Sequence, residues 1–434
     1  MSRPRRTSKP SLARRALVVA LSFGMIMAVG AACTTTASNS QPRDVQRKAE
    51  SSPLGGPETA AAQRVTCRAP TRETFLIRGR VHACGTSLVD GVGHRVRLLS
   101  YGLLTMYGGE GDVAPECGHW QAPPGDLAGH LRRWGMNSVQ ILLSWANLEP
   151  KRPTRLAGGG LKHHWDAQYL TALDLAIRQF HNHGIAVVLS LGQSRWSPAF
   201  RNLTLPNGNV QRCGVGMPMW LYPKGGGIRA MVRAERAFFA RADGVQAKFR
   251  GVWRMLARRY QHNKAVVGAE MLFEAYDLIA IPFLGHRASP SALNLAGFYG
   301  KLGRAIHGVT PGLLVLYADW QSLKPGSIYY AITRKPHLGN AAYSFEFYGG
   351  TWDTKLQKRF ERYHLRAKGW NVPAWIDEFD AFRYGRRNSP GIIVGPHWKR
   401  DTLALLARAK SERIGWSFLG AMDYALATVL RQGH

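Results

Sequence analysis

Short apolar runs recur along this chain, and stretches with helical spacing separate most of them. Residues 96–103, 138–143, 186–191, 266–273, 313–317, 341–347, 373–377 and 414–419 read as buried strands. Helices are expected over 127–134, 166–181, 244–260, 293–307, 355–367 and 397–409. In the second of these, Leu170, Leu173, Ile177 and Phe180 form one apolar face, and Asp166 is placed to cap the first turn. Eight strands with helices between most of them predict an α/β fold, a closed (β/α)8 barrel, more naturally than an open sheet. A chain of 434 residues accommodates that barrel with additions. Residues 75–80 and 88–99, with Asp90-Gly91 as a turn signal, predict a hairpin that caps one end. Residues 192–241, rich in glycine and aromatics, predict a long loop after the third strand.

The N-terminus has the order of an export signal. Arg3, Arg5, Arg6, Lys9, Arg14 and Arg15 precede an apolar run over 16–29, and Gly30-Ala31-Ala32-Cys33 follows. The run is short for a membrane span. Ala31-Ala32-Cys33 resembles the lipobox of bacterial lipoproteins, with Gly30 where an aliphatic residue is usual. Lipidation of Cys33 is one expectation; cleavage and free secretion is the other. Residues 1–33 are therefore assigned to the signal and lipobox, 34–73 to a flexible linker, and 74–434 to the barrel. The formal net charge is +31, and removing residues 1–32 with their six cations leaves +25. That excess is read either as a sign of anionic surroundings, such as an envelope polymer or lipid headgroups, or as a solvated basic surface with no special partner. No nucleic-acid motif accompanies it. Beyond Cys33 the cysteines are Cys67, Cys84, Cys117 and Cys213, an even number that in an exported chain predicts two disulfides with three possible connectivities. Nearest-neighbour pairing would join Cys67 to Cys84 and Cys117 to Cys213.

Two of the apolar runs end on a carboxylate. Val266 to Phe273 leads into Glu274, and Val372 to Asp377 leads into Glu378. The carboxyl ends of barrel strands are where this architecture holds its chemistry. Two facing carboxyls are what cleavage of a glycosidic bond requires. Asp377 and Asp380 flank the second glutamate and read as solvated loop acids. His163-His164 and His181-Asn182-His183 lie at the two ends of one helix and read as surface residues. The chain has no CxxC. No metal and no organic cofactor is expected.

Several blocks resemble glycoside hydrolase family 5. Gly135-Met136-Asn137-Ser138-Val139-Gln140, with Ser144-Trp145 and Leu148-Glu149-Pro150, is similar to that family's second-strand region. Asp243-Gly244-Val245-Gln246, Trp253 and Val266-Val267-Gly268 are similar to the approach to its acid/base glutamate, most of all in the endoglycoceramidase-like branch. The resemblance implies a general acid/base at Glu274 and a nucleophile at Glu378. It also implies a tyrosine beside the nucleophile at Tyr348 and an aromatic floor for the sugar at Trp416. Gln140, Gly192, Phe273 and Glu346 stand where the family places Arg, His, Asn and usually His. Gln140 brings no charge, Phe273 no donor for a 2-hydroxyl, and Glu346 a third carboxyl, while Gly192 is expected to open space. Trp145, Gln193 and Trp196 complete the expected sugar-contacting set.

The function these readings imply is a retaining glycoside hydrolase acting on an envelope or extracellular glycan or glycoconjugate. It is expected to be a monomer, with possible membrane attachment through a lipid anchor and no nucleic-acid partner. The alternative is a non-catalytic, glycan-binding envelope lipoprotein on a degenerate barrel. Replacing Cys33 with Ala should move the protein from membrane to soluble fractions; an unchanged distribution on fractionation rules out the lipid anchor and leaves export standing.

Overall fold

The computed structural model describes residue 67 and residues 72–108, 120–204, 210–240, 244–275, 294–319, 332–348, 351–380, 397–419 and 424–433. Eight parallel strands form a closed barrel. They are β1 (Leu99–Leu103), β2 (Ser138–Leu143), β3 (Ala186–Gly192), β4 (Val266–Phe273), β5 (Leu314–Asp319), β6 (Ala341–Phe347), β7 (Ala374–Phe379) and β8 (Gly415–Phe418). Each pairs with its neighbours in sequence, and β8 returns to β1. Every position of β2, β3, β4, β5 and β7 is buried. Both faces of these strands are covered, which is why they read as continuous apolar runs rather than alternating ones.

Among the described residues, the helices of more than one turn are α1 (Leu127–Arg133), α2 (Ala167–Asn182), α3 (Ile228–Ala240), α4 (Val245–Arg259), α5 (Leu295–His307), α6 (Thr354–Gly369), α7 (Trp398–Ser411) and α8 (Tyr424–Gln432). Side-chain caps start three of them. Asp166 accepts from the Tyr169 amide at 2.8 Å, Asp353 from Leu356 at 2.9 Å, and Asn294 from Gly297 at 3.2 Å. Each satisfies an amide that has no partner within the helix.

Two expectations are corrected. The segment after β3 is not a plain loop. It holds a hairpin of Arg201–Thr204 with Val210–Cys213, and then α3. Met231, Val232, Glu235, Phe238 and Phe239 are the buried face of α3, and Phe238 packs edge-on against Trp196, Phe249 and Phe298. At the N-terminus, residues 75–80 do not form a strand. The cap is a three-stranded antiparallel sheet of His82–Cys84, Ser87–Val89 and Arg95–Val96. Asp90 organises its second turn, accepting from the amides of Val92 and His94 and, across the strap, from Arg78. Cys67 is bonded to Cys84, which ties the preceding chain to this sheet. Cys33, Cys117 and the Cys213 side chain lie outside the described residues.

The sheet plugs the amino-terminal end of the barrel. Val81, Leu88, Val96 and Leu98 pack with Val188, Val267, Leu314 and Trp375 in a core separate from the main one. Asn340 stitches the two parts together. Its Oδ1 accepts from the Ala83 amide at 2.7 Å, and its Nδ2 donates to Val81 and Gly312 carbonyls, both at 3.1 Å. The opposite, carboxyl-terminal end is left to carry chemistry. Replacing Asn340 with Ala strands one backbone donor and two acceptors, and should cost about 2–3 kcal/mol. Urea denaturation checks this; a change within error would show that the cap docks through its apolar core alone.

Candidate active site

β-Bulges occur near the carboxyl-terminal ends of two barrel strands. β4 carries an extra residue between Glu270 and Phe273 relative to β3, and β7 carries one between Ile376 and Phe379, seen against both β6 and β8. A bulge turns successive side chains away from strict alternation. Here the result is that Glu274, Glu346 and Glu378 converge, with one carboxylate oxygen from each within 4.8 Å of the others. Glu378 is 7 % exposed, while Glu274 and Glu346 are half-buried. Three carboxylates this close could also hold a cation. An acid/base and a nucleophile account for two of them without one.

Glu274 is the first residue past β4 and has a φ of +48°. That left-handed conformation costs a residue with a Cβ about 1–2 kcal/mol, so the surroundings must hold it. Gln193 contributes. Its side-chain amide donates to the Glu274 carbonyl, and its Oε1 accepts from the Trp196 amide at 3.1 Å. Gln193 is fully buried, and it positions the glutamate's backbone rather than presenting itself to a sugar.

Beneath the three glutamates lies a buried polar network. Glu270, inward on β4, accepts at Oε2 from Gln140 Nε2 and from Ser190 Oγ, both at 2.7 Å, and at Oε1 from Ser344 Oγ at 3.0 Å. Ser417 Oγ donates to Gln140 Oε1 at 2.6 Å. Asp377, only 1 % exposed, joins Glu270 by a side-chain hydrogen bond. Burial drives both carboxyls above their ordinary values. On Asp377 the charges of Glu270 and Glu346 add to the rise; on Glu270 the bonds from Asp377, Ser190, Gln140 and Ser344 oppose it. Asp377 is therefore not the solvated loop acid expected from its neighbours in sequence.

Residues 113–419 match the cellulase (glycosyl hydrolase family 5) model. The chain belongs to glycosyl hydrolase family 5. Its reaction class is accordingly hydrolysis of O-glycosyl compounds. No curated protein matches. Among solved structures, the lactosyl-enzyme intermediate of endo-glycoceramidase II from Rhodococcus sp. is similar over 79 % of this chain and 80 % of that one, with 19 % identity and a TM-score of 0.58. The same enzyme in complex with ganglioside GM3 is similar at 19 % identity over 80 % and 81 %, TM-score 0.56. An endogalactoceramidase is similar at 20 % identity over 79 % of this chain and 74 % of that one, TM-score 0.55. At these identities the likeness is one of fold.

This family 5 barrel uses several of the expected sugar contacts for other work. Gln140 is fully buried and bonds Glu270, one layer below the glutamates. Trp145 donates to Glu149 Oε2 at 3.0 Å and packs edge-on against Trp220. Trp196 donates to the Tyr222 hydroxyl at 2.7 Å and packs against Phe238. Both indoles are core. Trp416 is 0 % exposed and lies edge-on to Phe379 at 5.6 Å, so it shows no open face. Tyr348 follows β6, half-buried, and its carbonyl accepts from Arg359. The apolar residues 278–284, which follow the first glutamate in the sequence, lie outside the described residues. His163 donates to or accepts from Glu149 at 2.6 Å and stacks on Trp165, away from the three glutamates.

Gly192 does not open space. A Cβ built there would stand 2.9 Å from Tyr107 Cε2 and 3.1 Å from its hydroxyl oxygen. Tyr107, from the segment after β1, fills the volume and packs with Phe273, Leu142 and Val215. Sequence spacing gave no notice of Tyr107, nor of Ser190, Ser344 and Ser417 in the network. Glu270 did leave a signal, an acid in the middle of an apolar strand. Gly192→Ala forces the ring to move and should destabilise by about 1–3 kcal/mol. In a double-mutant cycle with Tyr107→Leu, most of that loss should vanish; additive losses on thermal denaturation would show that the ring is not what excludes the methyl.

Proposed function

We propose that this chain is a retaining glycosidase, exported, that acts on an envelope or extracellular glycan or glycoconjugate through a glycosyl-enzyme on Glu378. The observation that carries the reading is the approach of Glu274 and Glu378 oxygens to within 4.8 Å from the ends of β4 and β7. Retaining enzymes need their two carboxyls about 5–5.5 Å apart, whereas inverting ones leave about 6.5–9.5 Å for a water. In the first step Glu378 attacks the anomeric carbon and the aglycone oxygen leaves with the proton of Glu274. In the second, Glu274 takes a proton from water, the water oxygen bonds the anomeric carbon, and Glu378 is released. The Rhodococcus relative, captured as a lactosyl-enzyme, gives the reading a parallel in the same fold.

The surroundings bear on the sugar. Phe273 has no donor for a 2-hydroxyl, and Tyr107 packs against it. A hydroxyl left unpaired at such a wall loses about 1–3 kcal/mol. We therefore assign a preference for a sugar whose 2-position is substituted, inverted or absent, or for a furanose. Export and location rest on the order of the first 33 residues and on the charge of +31.

Glu378→Gln should abolish turnover of aryl glycosides. Glu274→Gln should slow substrates with poor leaving groups by 100-fold or more, about the size of a general-acid contribution, and spare those with good ones. Equal loss on both would refute the acid assignment. On a panel of gluco, manno, 2-acetamido, 2-deoxy and arabinofuranosyl forms, a clear preference for the β-glucoside would sink the substrate reading. Silence across the panel with retained glycan binding would favour a non-catalytic role.

A further inference from the structure

We infer that Asp377 and Glu270 form a proton-sharing dyad under the nucleophile, with the proton on Asp377, and that this dyad is a positioning element for Glu378. The inference rests on the retaining reading above for its role, but not for its chemistry. Glu270 has two carboxylate oxygens, and three donors already converge on them: Gln140 Nε2, Ser190 Oγ and Ser344 Oγ. Asp377 is buried too, but its Oδ1 meets no hydrogen-bond partner among the described residues. An anion is held far better by the three groups around Glu270 than by the bare oxygen of Asp377, so Glu270 is the ionised member. A hydrogen bond between it and Asp377 then needs the proton to be on Asp377.

The charge environment agrees. Facing Asp377 are Glu270 on β4, Glu346 on β6 and the adjacent Glu378 on β7, with Glu274 in the layer above. Tyr299 on α5 faces the same region, but its hydroxyl donates to the Leu272 and Ala318 carbonyls and stays neutral. Asp319 on β5, which also acts on Tyr299, is engaged by the Tyr343 hydroxyl at 2.7 Å and by Arg366 at 3.6 Å. Gln140 adds no charge. The strongest influences on Asp377 are burial and negative neighbours, both of which favour the acid form. A neutral Asp377 leaves the layer beneath the nucleophile with one negative charge instead of two. Glu378 can then ionise beside Glu346, while the donor of Asp377 holds Glu270, and through it β2, β3 and β6, in place.

Infrared difference spectroscopy tests the proton directly. In a Glu274→Gln background, which removes the acid's own proton, the full-length protein should show a carboxylic-acid C=O stretch at neutral pH that Asp377→Asn abolishes. Absence of that band overturns the proposal whether or not any glycoside is turned over. If Asp377→Asn does not fold, the band in the parent protein at a pH where ordinary Asp and Glu are ionised still decides. Stability supplies a second reading. A carboxyl raised in the folded state costs stability as pH climbs above its unfolded value of about 4. Asp377→Asn should therefore gain melting temperature over the parent between pH 4 and neutrality, and a difference that is flat or reversed overturns the idea. For the role, Asp377→Asn keeps a donor and no charge, so the acid limb of the pH–rate profile should stay in place, and kcat should exceed that of Asp377→Ala by about tenfold or more. An acid limb displaced downward by about one pH unit would mean that a charge had been removed, and that Asp377 had been ionised.

Discussion

The carboxylate of Glu270 is where the barrel is tied together on its axis. A buried carboxylate is tolerated only when hydrogen bonds replace its lost hydration. Here the donors come from β2, β3, β6 and β7, and Ser417 on β8 secures the β2 donor in turn. Six of the eight strands are thus held in register by one anion, counting its own β4. Apolar packing alone does not specify angular position to this degree, because one aliphatic side chain can replace another with little change. The network lies one layer under the three glutamates, so their placement inherits its geometry.

Above that network the mouth of the barrel gathers acids. Bulges in β4 and β7 bring Glu274 and Glu378 beside Glu346, so that three like charges meet at the mouth. A glycosidase of the retaining kind uses such a conflict, since one carboxyl must keep a proton while the other loses it. The aromatic residues divide differently. Trp145, Trp196 and Trp220 build the wall behind β2 and β3 and satisfy their indole N–H groups on Glu149 and Tyr222. They support the site from outside it.

Much of the fold was legible because the barrel's strands are buried on both faces and its helices on one. Those two patterns differ in period, and β2, β4 and β6 were located to the residue. Asp166 was legible as a cap for a local reason: its side chain reaches an amide three residues on. The helix α3 was missed although Met231, Val232, Glu235, Phe238 and Phe239 stand at helical spacing, because the glycines just before it mark a loop and a charged residue takes a place on its buried face. The cap was placed correctly at one end but with the wrong strands, since residues 75–80 are held by Asp90 rather than by a partner strand.

By itself the sequence determined the architecture, the family and the two glutamates at strand ends, because these depend on periodicity and on residues next to them in the chain. Only the tertiary structure decided what those glutamates rest on. Glu270 and Asp377 are 107 residues apart, Gly192 and Tyr107 are 85 apart, and no local pattern links either pair. Whether an acid is solvated or shares a proton, and whether a glycine leaves a hole or makes room for a ring, depends on what the closing barrel brings against it.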